Sequence, residues 1–269
     1  MKINKTKDLP HAIRNINEIL STLENKIPAL FLDYDGTLTP IVSDPEKALL
    51  SQENHSTISK LAALIPVAVI SGRDRANVAS KINIDSLIYA GSHGYDITGP
   101  NGLDMQYGPG QETLPVLDDA ETHLKSMLSS IEGAMVERKK YAIAVHYRNV
   151  ADENVEKVKK IVYEELGKHE KLREGLGKKI IELKPDFDWH KGKALDWILD
   201  KLELKSEKYI PLFIGDDVTD EDALEVLREV GIGIMVGNHD ETTYANYILN
   251  DTEEVAEFLQ LLSQHISKN

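Results

Sequence analysis

Short unbroken apolar runs alternate along the chain with stretches of helical period. The runs "ALFLD" (29–33), "PVAVISG" (66–72), "SLIYAGSHG" (86–94), "YIPLFIGDD" (209–217) and "GIGIMVG" (231–237) predict strands. Between and after them, "NHSTISKLAAL" (54–64), "RANVASKI" (75–82), "KGKALDWILDKL" (191–202), "TDEDALEVLREV" (219–230) and "TEEVAEFLQLLSQHI" (252–266) predict amphipathic helices. An earlier helix is expected over 10–26, with Ile13, Ile16, Leu20 and Leu23 on one stripe. Strands that are apolar on both faces and separated by helices indicate an α/β fold, a doubly wound parallel sheet covered on both sides.

The middle of the chain, 110–185, has another rhythm. It reads helix (114–131), strands (134–148), helix (155–169) and strands (171–185), bounded by Gly- and Pro-bearing segments. A small α+β unit with an open antiparallel sheet fits, inserted into a core formed by 1–109 and 186–269. In "IIELKP", Ile181 and Leu183 would bury one strand face while Glu182 and Lys184 project from the other.

Composition narrows the class of function. The 269 residues carry a net charge of −14, which argues against duplex nucleic acid as a partner. There is no cysteine, so disulfides and thiolate chemistry are excluded. No apolar run is long enough to span a membrane, and "MKINKTKDLPHAIRNINEIL" lacks a secretory core, so a cytoplasmic protein, monomeric by default, is expected.

In an open α/β sheet the active crevice lies beyond the carboxyl ends of the strands. Asp33, Ser71, His93 and Asp216 each follow an apolar run, so the topology would gather them at one edge. Phosphoryl transfer through an enzyme aspartate needs a carboxylate nucleophile, a general acid/base, a divalent cation, and groups around the phosphoryl oxygens. Asp33 could attack phosphorus, and Asp35 could protonate the leaving oxygen and then activate water. Asp216, with Asp33 and the backbone carbonyl of Asp35, could complete a Mg²⁺ site. Ser71 and Lys191 could hold the phosphoryl oxygens. Asp217 and Asp220 are expected to hydrogen-bond behind the ligands or to cap the next helix.

"DYDGT", "ISGR", a downstream "KG" opening a helix and "GDDVTDED" resemble the four motifs of the haloacid dehalogenase-like (HAD) phosphatases. The fuller set "LFLDYDGTLTPI", "VISGR", "GSHG", "ERKKYAIAVHYR", "IELKP", "KGKAL" and "IGDDVTDEDA" resembles, within them, the trehalose-6-phosphate phosphatase family. That resemblance implies a Rossmann-like core with a C2-type cap that closes over the sugar. It implies a Mg²⁺-dependent phosphatase that hydrolyses trehalose 6-phosphate through an aspartyl phosphate, with Asp33, Asp35, Ser71 and Lys191 catalytic. Arg73, His93, Glu137, Lys139, Arg148, Glu182 and Lys184 become substrate-binding candidates, with His146 and Asn149 in the same segment as Arg148. Trp189 and His190 stand where the family carries glycine and small residues, and they take no role.

Plainer readings stand beside these. Asp33 and Asp35 could close a strand-end turn, Ser71 could cap a helix, and the cap residues could form a solvated salt-bridged face. Rival functions are a phosphatase for another sugar phosphate or a glycosyl phosphoglycerate, a phosphosugar mutase, or a non-catalytic sugar-phosphate-binding domain. No region remains for a glycosyltransferase, so a stand-alone phosphatase is expected.

Overall fold

The structure, a computed structural model, describes residues 4–42, 44–177, 179–237 and 242–268. It separates into two compact units, one formed by 1–105 with 189–269 and the other by 106–188. The division thus falls a few residues outside the 110 and 185 boundaries read from the sequence.

The first unit is built on an eight-stranded sheet. Its order is Tyr247–Leu249, Ile232–Val236, Tyr209–Gly215, Ile27–Leu32, Val67–Ile70, Ile88–Gly91, Asp96–Thr98 and Asp104–Gln106. The first six strands are parallel, and Asp96–Thr98 turns back antiparallel to Ile88–Gly91. Alternation decides the two faces. Leu30, Leu32, Leu212 and Ile214 pack with Ile19, Ile58, Val78 and Phe258 from the helices Ile16–Thr22, Gln52–Ala62, Arg75–Ile82 and Thr252–Ile266. Ala29, Phe31 and Phe213 pack instead with Leu195, Ile198, Leu224 and Leu227 of the helices Lys191–Lys201 and Glu221–Leu227. This is the doubly wound α/β fold that the apolar runs predict.

The N-terminal helix is shorter than the stripe over 10–26 predicts, running only Ile16–Thr22. The preceding backbone is diverted to the sheet edge: Ala12 N–H donates to Ile248 O and Ile248 N–H to Pro10 O. The Ala12 amide and the Pro10 carbonyl are therefore spent outside the helix, and Asn25, at φ 65°, follows its other end.

The second unit has an antiparallel four-stranded sheet in the order Met135–Lys139, Ala142–His146, Ile180–Pro185 and Leu172–Gly177. Helices Leu114–Leu128 and Asp152–Leu166 cover one face, burying Leu117, Leu124, Val158 and Val162 against Ile143, Val145, Ile181 and Leu183. The pleat sends Glu137, Lys139, Glu182 and Lys184 to the opposite face. The central strand presents only Ala142 and Ala144 between them, because Glu137 and Glu182 both pair with Ala144. A side chain any larger there would fill the space that separates the two carboxylates.

Candidate active site

The strands set the geometry first. Ile214 pairs with Leu32, and the next amide, Asp33 N–H, donates to Ile214 O at 2.9 Å. The chains that follow these two strands therefore emerge side by side, carrying Asp33 and Asp216. Gly36, at φ +85°, is obligatory between them, since a Cβ there would lie 2.0 Å from Asp216 Oδ2.

Lys191 joins the pieces. Its Nζ donates to Asp33 Oδ1 at 2.8 Å and to Asp220 Oδ1 at 2.6 Å, with the lysine only 3% exposed and Asp220 fully buried. The other oxygen of Asp220 accepts from the backbone N–H groups of Asp216 and Asp217, each at 3.0 Å. Gly192 lets the helix start this close, because a Cβ there would lie 2.2 Å from Asp222 O. Asp217 caps the following turn through Val218 N–H, and Thr37 Oγ1 donates to Asp216 Oδ1 at 3.2 Å.

Burial pushes the Asp33 carboxyl well above the usual carboxylate range; Lys191 pulls it down, and Asp220 and Asp216 push it up again. Burial alone would lower Lys191, but Asp220 and Asp33 more than offset it and hold the ammonium above its ordinary value. Asp216 is pushed up to about 6 by burial first and the charge of Asp220 next.

Oxygens of Asp33, Asp216 and Asp220 lie within 4.8 Å of one another. Three carboxylates against the one ammonium leave two uncompensated negative charges, which a divalent cation matches. An all-oxygen donor set suits a hard cation such as Mg²⁺. Asp220 has both oxygens engaged, whereas Asp33 Oδ2 accepts no hydrogen bond from the described residues. The donor set therefore fits a cation held chiefly by Asp33 and Asp216.

Ser71 is buried beyond Val67–Ile70; its Oγ accepts from Arg73 N–H at 3.1 Å, and its N–H donates to Ala90 O. His93, at φ 56°, lays its ring over Gly72 and donates its N–H to Ser71 O. Arg73 turns to Asp35, donating from Nε to Oδ2 at 2.6 Å and from Nη2 to Oδ1 at 2.7 Å.

In the other unit, Lys139 Nζ donates to Glu182 Oε1 at 2.6 Å, and His146 Nε2 meets Glu137 Oε2 at 2.7 Å. Lys184 is half-buried beside them, and burial, then the charge of Arg173, lowers its affinity for a proton. Arg148 lies exposed in the turn after the strand. Sequence reasoning did not assign Asp220 as partner of Lys191, Thr37 as partner of Asp216, or the pairing of Arg73 with Asp35. The fifth position of "DYDGT" and the third aspartate of "GDDVTD" were the available signals.

Residues 31–253 match the sequence profile of a family described as trehalose-phosphatase. The chain belongs to the trehalose-phosphatase family. It is 38% identical over 274 residues to the trehalose-phosphate phosphatase of Mycobacterium leprae, covering 98% of this chain and 63% of that protein. The chain thus spans less than two thirds of that relative's length. A crystal structure of a trehalose-6-phosphate phosphatase related protein superposes with a TM-score of 0.76 at 26% identity, over 90% of this chain and 100% of that one. A haloacid dehalogenase-like hydrolase from Bacteroides thetaiotaomicron shares the fold at a TM-score of 0.62 and 19% identity, over 90% of this chain and 99% of that one. This member of the trehalose-phosphatase family carries the carboxylates and cations described above on a doubly wound α/β core. No described helix is long and apolar enough to cross a membrane.

The raised Asp216 sets a stability test. The group's folded value is about 6 against 3.8 for a free aspartate, so the fold bears its cost fully above about pH 6 and sheds it as pH falls towards 3.8. Asp216→Asn is expected to stabilise the metal-free protein by about 1–2 kcal/mol near pH 7.5, after discount for partial exposure. The gain should shrink by more than half near pH 4.5 in chemical denaturation. An equal gain at both pH values would contradict the assignment.

Proposed function

We propose that the chain hydrolyses trehalose 6-phosphate to trehalose and inorganic phosphate, with Mg²⁺ bound, in the cytoplasm and as a monomer. The observation that carries this reading is the clamped nucleophile: Lys191 holds one oxygen of a buried Asp33 and leaves the other unbonded among the described residues. That free oxygen forms the bond to phosphorus as the bond from phosphorus to the sugar oxygen breaks, while Oδ1, which keeps a lone pair beside its bond to Lys191, would face the cation. Asp35 gives its proton to the leaving oxygen. Water then attacks the aspartyl phosphate, Asp35 takes the proton, and the bond to Asp33 breaks.

Lys191 has three N–H donors, of which two serve Asp33 and Asp220, so the third is available to a phosphoryl oxygen. The Ser71 hydroxyl has a proton of its own to donate to a second. Asp33, Asp216 and the main-chain carbonyl of Asp35 would hold Mg²⁺, whose chemistry when bound is to neutralise charge on the phosphoryl oxygens. The three-to-one excess of carboxylates over ammonium supports this need for a cation.

The ladder on the inserted unit's open sheet face supports the sugar part of the reading. Sugar hydroxyls both donate and accept, and Glu137, Glu182, Lys139, Lys184 and His146 supply both kinds of partner around the small Ala142 and Ala144. His93 and Arg148 are further candidates for substrate contact.

Phosphate release from trehalose 6-phosphate, sucrose 6-phosphate and glucose 6-phosphate, with Mg²⁺ and with chelator, tests the substrate. Trehalose 6-phosphate is expected to rank first and chelator to abolish turnover; if it ranks below the others the substrate assignment fails. Asp33→Asn is expected to lower kcat by at least about 10³.

A separate test isolates the ladder. Lys139→Ala and Glu182→Ala should each raise KM for trehalose 6-phosphate about tenfold or more, yet leave hydrolysis of p-nitrophenyl phosphate, which has no sugar, within about twofold. Equal losses on both substrates would sink the sugar-recognition role.

A further inference from the structure

We propose that Arg73 is a positioning residue that fixes the carboxylate of Asp35 and makes no contact with the substrate. The inference rests on the general acid/base role given above to Asp35. Asp35 stands just beyond the end of the strand Ile27–Leu32, where the sheet no longer dictates side-chain direction. Its backbone is held in the Asp35–Thr39 bridge, beside which Gly36 N–H donates to Thr39 O at 2.7 Å. The side chain has no comparable support from its own segment. Arg73 supplies it from another strand end.

The contact is a fork-on-fork pair, with both carboxylate oxygens taken by parallel N–H donors at 2.6 and 2.7 Å. Such a pair fixes both the position and the plane of the carboxylate, which a single lysine cannot do. The carboxylate keeps further lone pairs, so a proton can be gained or lost while the pair persists.

Arg73 is itself held at every level. Nη1 donates to Asn77 Oδ1 at 3.1 Å, and Nη2 donates a second time to Pro45 O at 2.9 Å. Four of its five N–H donors are thus committed inside the protein. The guanidinium lies 5.3 Å from the ring centroid of the buried Tyr34. Tyr34 OH in turn donates to Ala48 O at 2.8 Å, tying down the segment that carries Pro45. The Arg73 main chain is pinned too, its N–H on Ser71 Oγ and its carbonyl accepting from Ser92 N–H.

Exposure runs the way a support requires. The Arg73 side chain is 11% exposed and that of Asp35 is 40% exposed, so the anchor lies inside and the carboxylate reaches outward. A substrate ligand would have the reverse arrangement, with free donors at its tip. Because Arg73 also bonds Ser71 through its backbone, one residue ties the acid/base to the serine proposed to hold the phosphoryl group.

A double-mutant cycle on the full chain with Mg²⁺ and trehalose 6-phosphate decides the matter. Arg73→Gln is expected to lower kcat by about 10²-fold while KM moves less than about threefold. Arg73→Lys should recover part of the loss, since one point charge restores attraction without the fork. In an Asp35→Asn background, Arg73→Gln should change kcat by less than about twofold, because the group it acts through is already gone. If the loss from Arg73→Gln is instead multiplied in full onto Asp35→Asn, or appears chiefly as a raised KM, the inference is overturned.

Asp35→Asn alone tests the reading beneath it. Turnover near the parent rate in that single variant overturns the acid/base assignment before Arg73 is touched, so the two failures are distinguishable. Should Arg73→Gln not fold, as judged by its melting transition, Arg73→Lys in the two backgrounds carries the same comparison.

Discussion

The Lys191 ammonium between Asp33 and Asp220 is the contact on which the rest of the core site depends. It joins residues 158 and 29 positions apart, all of them buried, in a setting where an unpaired charge would be prohibitive. Its effect does not stop at the pair. Asp220 is held by the lysine through one oxygen and holds the amides of Asp216 and Asp217 with the other. The lysine therefore fixes, through one intermediary, the loop that carries Asp216, the second of the proposed cation ligands. Removing it would leave two buried carboxylates without a counter-charge and release that loop.

The arrangement is not neutral, and its imbalance carries the functional meaning. Burial first, and the crowding of like charges after it, makes these carboxylates a standing cost, expressed in the raised Asp33 and Asp216. A site selected for folding alone would have dropped one carboxylate. Keeping all three fits the proposal of a site completed by a cation, the usual conflict between stability and activity.

The two units solve different problems with different sheets. A parallel sheet covered on both faces has no open face to offer, so its chemistry collects where the strands end, at Asp33, Ser71 and Asp216. An antiparallel sheet covered on one face offers the other, and the inserted unit uses it for a ladder of partnered charges around alanines. This difference also decides what the sequence makes legible. Unbroken apolar runs announce the buried parallel strands, and period-two alternation announces the open face of "IIELKP". The three-residue strands Asp96–Thr98, Asp104–Gln106 and Tyr247–Leu249 are too short to carry either signal. The N-terminal stripe has the right period, yet its backbone is claimed by the sheet edge at Ile248. Asp220 reads locally as a helix cap, which it partly is. Nothing local reports that its other oxygen meets a lysine 29 residues earlier, because an ion pair between distant segments leaves no period in the chain.

The pair of aspartates in "DYDG" gathers these points. They are two residues apart, yet Asp33 is 5% exposed and clamped by a lysine while the Asp35 side chain is 40% exposed and forked by an arginine. The choice of cation suits the roles proposed for them, Asp33 as nucleophile and Asp35 as acid/base. A nucleophile must keep one oxygen bare, and a compact ammonium that also serves a second carboxylate occupies only the other. An acid/base must keep its plane and reach while a proton comes and goes, and a planar guanidinium braced by Asn77, Pro45 and Tyr34 holds that plane. Exchanging the two cations would leave each carboxylate paired but unfit for its proposed step. The specificity of the site thus lies less in the presence of two acids and two bases than in which base holds which acid.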